Sequence, residues 1–186
     1  MVLIPAGKFV MGTPELVPVD SKEFEKKIMV GQVVFRARAR RVEKMSEILY
    51  IEPEVAGGLG ENTILDRNVQ PSRVRELQYQ FDGWLGDVLI ESSPVFIATQ
   101  AAKTELERRK FTGIVFDDVE VSVSDQFREL NPNVKLPAFV WLRPGDRPGL
   151  DDFGVATDGR LVISSPVLEL FKRLGIVNAL ISPFDN

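Results

Sequence analysis

Neither cysteine nor histidine occurs in the 186 residues. Without cysteine there is no disulfide framework, no thiolate nucleophile and no Cys-based zinc or iron-sulfur site, a composition that suits a reducing compartment. Without histidine no imidazole is present to shuttle protons near neutral pH or to ligate a transition metal. Long apolar runs are missing as well. The N-terminal run is interrupted by Pro5 and Lys8 and has no basic flank, which argues against a secretory signal. The run at residues 137–142 falls far below the roughly 20 residues a membrane-spanning helix needs. These absences predict a soluble, cytoplasmic protein with no membrane partner, in which carboxylates are the only acid-base candidates.

What is present is ordinary for a globular chain: 44% hydrophobic and 27% charged residues. The length suits one domain over residues 1–186, large enough to bury roughly 70% of its unfolded surface without a covalent or metal staple. The glycine-rich stretch at residues 53–62 marks a seam, and it leads to a division into an N-terminal subregion, 1–80, and a region 81–186. Charge divides the same way. Residues 1–80 hold 12 Lys and Arg against 11 Asp and Glu, and residues 81–186 hold 11 against 16, so the regions carry +1 and −5 and the net charge is −4. An acidic region disfavours nucleic acid and suits a basic protein partner. Self-association stays open.

Strand patterns occupy residues 8–11, 30–35 and 48–51, and residues 22–29 read as a short helix. From residue 81 the punctuation is clearer. A buried strand at 95–98 runs into Thr99, a helix N-cap for residues 100–110. Alternation over 114–123 predicts one long strand. Ser124 caps a short helix through Leu130, and residues 137–142 form another strand. Asp158-Gly159 turns a hairpin between 153–156 and 160–164. Ser165-Pro166 opens a helix with an apolar stripe at Val167, Leu168, Leu170, Phe171 and Leu174, closed by Gly175. Residues 176–181 read as a last strand. The resulting expectation is an α+β fold with a mixed or mainly antiparallel sheet and helices packed on one side.

Several stretches imitate functional motifs. Arg36, Arg38 and Arg40 would share one strand face, as a phosphate site requires, but no aromatic residue is interleaved and Glu43 and Glu47 follow, so a solvated face suffices. Gly57-Gly58-Leu59-Gly60 lacks the Lys and Ser or Thr of a phosphate loop. Asp152-Phe153-Gly154 spells the magnesium triplet of protein kinases, but the His-Arg-Asp loop is absent. Carboxylates at Asp82, Asp87, Asp117-Asp118 and Asp151-Asp152 leave a metal-dependent hydrolase as the alternative function, although neighbouring aspartates on a strand point to opposite faces. Trp84, in the Gly- and Asp-rich loop 81–87, could anchor a partner.

Two resemblances follow from longer stretches. Residues 1–12 resemble the opening of formylglycine-generating, sulfatase-modifying enzymes, without that family's Arg-Gly-Gly-Ser-Trp stretch or its catalytic cysteines. Residues 81–183 resemble the immunity protein eleven family of bacterial polymorphic toxin systems, first described in myxobacteria. The likeness is carried by Trp84-Leu-Gly-Asp87, Ser93-Pro-Val-Phe-Ile97, Phe111-Thr-Gly-Ile114, Val119-Glu-Val121, Leu136-Pro-Ala-Phe-Val-Trp-Leu142, Asp151-Asp-Phe-Gly154 and Asp158-Gly-Arg-Leu-Val-Ile163. That resemblance implies a small cytoplasmic protein that binds and blocks a cognate toxin, with no catalytic residue and no cofactor. The candidate contacts are Asp82, Trp84, Asp87, Asp151 and Asp152.

Overall fold

A computed structural model describes residues 46–68 and 73–185. The readings made for residues 1–12, 22–29 and 30–41 lie outside the described residues. The chain forms β1 (Ile48–Glu52), β2 (Gly57–Leu59), β3 (Ile64–Asp66), β4 (Arg73–Glu76), β5 (Gln78–Phe81), β6 (Leu89–Ser92) and β7 (Val95–Thr99) before its first helix, α1 (Gln100–Arg109). There follow β8 (Ile114–Asp117), β9 (Glu120–Val123), α2 (Asp125–Leu130), β10 (Phe139–Pro144), β11 (Phe153–Val155), β12 (Leu161–Ser164), α3 (Ser165–Leu174) and β13 (Leu180–Pro183).

The fold is α+β with mainly antiparallel sheets, and the described strands are shared among four of them. One has the order β11-β12-β1-β13 and a second the order β6-β7-β10-β8, both antiparallel throughout. A third, β2-β5-β9, contains the parallel pair β5-β9, and β3-β4 is a separate antiparallel pair. β1 and all of β5 but Phe81 come from before residue 81, and their partners β12, β13 and β9 come from after it.

Strand alternation explains why β7 is buried along its whole length. Phe96 and Ala98 belong to one apolar cluster, together with Ala102 and Leu106 of α1 and Leu170 and Phe171 of α3. Val95 and Ile97 point into a second, aromatic cluster with Tyr79, Phe81, Phe127, Phe139 and Trp141. Leu89 and Leu142 join the first cluster, and Ile90 and Trp141 the second. This sheet therefore has no water-facing side at its centre, which is why its strands read as apolar runs.

Local signals set the helices. The Thr99 side chain accepts from the Ala102 N–H at 3.2 Å, and α1 ends on Lys110, left-handed at φ 59°. Ser124 accepts from the Phe127 N–H, and Gly175 closes α3 at φ 107°. The Asp158-Gly159 hairpin joins β11 to β12. Among the described residues no helix is long and apolar enough to cross a membrane.

Several expectations change, among them the last strand, read over 176–181 and found at Leu180–Pro183. The long strand over 114–123 is broken at Asp118, so β8 borders β10 while β9 crosses to β5. The cause lies in the paired aspartates: the Asp118 N–H bonds the Asp117 carboxylate and not a neighbouring strand, and Asp117 also bonds Arg143. The cap of α3 is Ser164, one residue earlier than expected, and its hydroxyl makes no cap bond because it donates to Asp152.

Candidate functional site

The loop between β5 and β6 holds Asp82, Trp84 and Asp87, and every bend in it is fastened. The N–H groups of Asp82 and Gly83 both donate to the Ala56 carbonyl, at 2.9 and 3.1 Å. Gly86 adopts φ 108°, a conformation that any side chain would strain. Trp84 is half-buried: its indole N–H donates to the Asp87 carbonyl at 3.0 Å, and its ring meets Phe139 edge-on at 6.1 Å. The tryptophan thus fastens the loop instead of standing clear as an anchor, since its apolar ring gains by burial and its N–H finds a partner beneath.

Asp87 is 1% exposed. Its carboxylate accepts from the Val177 N–H at 3.0 Å, the Asn178 N–H at 2.8 Å and the Asn178 side-chain amide at 2.9 Å. This corrects the expectation that Asp87 meets a partner: its oxygens are turned inward to hold the loop after α3. Asp82 is exposed, as a contact residue must be.

A third loop enters through Glu54, which sequence reasoning passed over. Glu54 is 7% exposed, and one carboxyl oxygen accepts from the Leu85 N–H at 2.6 Å. The other is buried with no hydrogen-bond partner. Burial pushes this carboxyl above its ordinary value; the N–H groups of Leu85 and Asp87 pull against that, and the Asp87 charge adds to it. Each of the three loops then displays an aliphatic side chain to solvent: Val55 at 66%, Leu85 at 73% and Val177 at 82% exposed.

Asp151 and Asp152 lie in a different place, on the approach to β11, and their side chains part company. Asp152 accepts from the Thr112 N–H and hydroxyl and from the Ser164 hydroxyl, at 2.9, 3.1 and 2.8 Å. It ties the loop after α1 to the start of α3. Gly113 permits this approach, because a Cβ there would stand 2.2 Å from the Phe153 carbonyl oxygen. Asp151 pairs with Arg147 at 2.6 Å, beside an open groove of about 560 Å³ that Arg143 and Asp146 also line. The two carboxylates do not converge on one point, as the hydrolase alternative requires. Among the described residues no group of three or more acidic side chains is placed to hold a metal ion.

The Trp-Leu-Gly-Asp and Asp-Asp-Phe-Gly motifs therefore place two carboxylate clamps. Glu54, Val55 and Val177 were missed: Val55 lies in a stretch read as a flexible seam and Val177 in one read as a strand, so only the tertiary hydrogen bonds reveal them. Neither a protein-family model nor a curated protein matches the sequence.

Proposed function

We propose that this is an immunity-type protein that binds a cognate bacterial toxin in the cytoplasm and neutralises it by protein-protein contact, without turnover of its own. The reading is supported first by the resemblance of residues 81–183 to the immunity protein eleven family. The observation that carries it beyond the resemblance is the fastened loop after β5, whose family-like motif exposes Leu85 at 73% while Asp87 beneath it is buried. A rigid loop that displays an apolar side chain loses little entropy on binding, so contact there favours association. Exposed Asp82 adds negative charge, which mainly speeds encounter with a basic surface.

Co-expression with the products of adjacent genes tests the proposal. One of them should arrest growth alone, and this protein should restore growth and co-purify with it. Growth arrest by none of the neighbours, or arrest that this protein does not relieve, would rule the reading out.

A further inference from the structure

We infer that the face formed by Val55, Leu85 and Val177 is a docking surface for a protein segment that presents an apolar side chain flanked by Lys or Arg. The three residues come from loops far apart in sequence, yet Glu54 bonds the Leu85 N–H and Asp87 bonds the Val177 N–H itself. Their backbones are therefore stitched into one surface. Three aliphatic side chains left 66%, 73% and 82% exposed on clamped loops form the apolar part of a binding site, where a few central contacts carry most of the energy.

Charge decides the occupant. The loop residues 53–56, 82–88 and 175–179 contain Glu54, Asp82 and Asp87 and no Lys or Arg. The nearest basic residues along the chain, Lys172 and Arg173, bond to the Glu169 carboxylate and carbonyl. Asp82 is the exposed acid of the three and Glu54 and Asp87 are buried, so the charge that meets a partner is a surface one, which salt screens. An acidic or second identical surface would be repelled, whereas a basic segment is drawn to it. The inference goes beyond toxin binding, because it specifies the chemistry of the segment and not the protein that carries it.

The test titrates the full chain with two probe peptides, acetyl-Lys-Leu-Phe-Lys-amide and acetyl-Glu-Leu-Phe-Glu-amide, up to about 5 mM, and reads backbone amide chemical shifts. The basic peptide should move Val55, Leu85 and Val177 first and bind about tenfold or more tightly than the acidic one, with the gap closing as salt rises. The Leu85→Ser/Val177→Ser variant, its fold checked by its own amide spectrum, should lose about tenfold of that binding. Equal response to both peptides, no response, or a largest response elsewhere would overturn the inference. So would shifts at these residues that grow with protein concentration alone, which would make a second copy the occupant. No toxin is present in the assay, so its outcome is independent of the growth rescue.

Discussion

Two aspartate clamps hold this protein together at separate places, and they differ in what surrounds them. Asp87 is almost wholly buried and takes two backbone N–H groups and a side-chain amide from residues 90 and 91 positions later. Asp152 is half-buried and takes one backbone N–H and two hydroxyls, from Thr112 and Ser164. A hydroxyl that loses its acceptor can rotate toward water, whereas a backbone N–H is fixed by its chain and stays unpaired if water cannot reach it. The lesson is that two carboxylates with equal numbers of hydrogen bonds contribute unequally to the fold.

The largest effect should come from Asp87→Ala, which empties a buried carboxylate site and takes the shared acceptor from the Val177 and Asn178 donors. Urea denaturation should record a loss of about 3–5 kcal/mol. Asp152→Ala should cost about 1–2 kcal/mol in the same measurement, because Asp152 is half-buried and the exposed Thr112 can turn its hydroxyl to solvent, leaving the buried Ser164 hydroxyl as the donor that loses its partner. Equal losses in the two variants would break the comparison.

The smallest effect sharpens it through pH. Burial raises the Glu54 carboxyl above its ordinary 4.5, so the folded protein keeps a proton that the unfolded chain releases. A raised carboxyl makes folding less favourable as pH climbs from its unfolded value through its folded one. Glu54→Gln removes that penalty. Urea midpoints between about pH 4 and pH 7 should therefore shift in favour of the variant as pH rises, and then level off. A difference that stays flat, or that favours the natural Glu54 increasingly with pH, would mean its bond to the Leu85 N–H outweighs its burial.

Much of the fold was legible in the chain because short-range physics sets it. Thr99 and Ser124 cap helices through bonds that span three residues, the Asp158-Gly159 turn closes its own hairpin, and the α3 stripe follows from helical period. The break at Asp118 was not legible, since alternation continues through it and only the bond to Asp117 removes it from the ladder. The candidate site was half legible. The Trp84 to Asp87 motif stood out, but its role as a clamp depends on Asn178, and Glu54 carried no local signal at all.

By itself the sequence determined the chemistry that is missing, the acidic balance of residues 81–186 and most local elements, because these follow from composition and from neighbours a few positions apart. Tertiary structure decided which carboxylates turn inward and which aliphatic side chains remain in water. Those outcomes depend on partners that only folding brings together, since an aspartate leaves water only where donors from distant segments replace it.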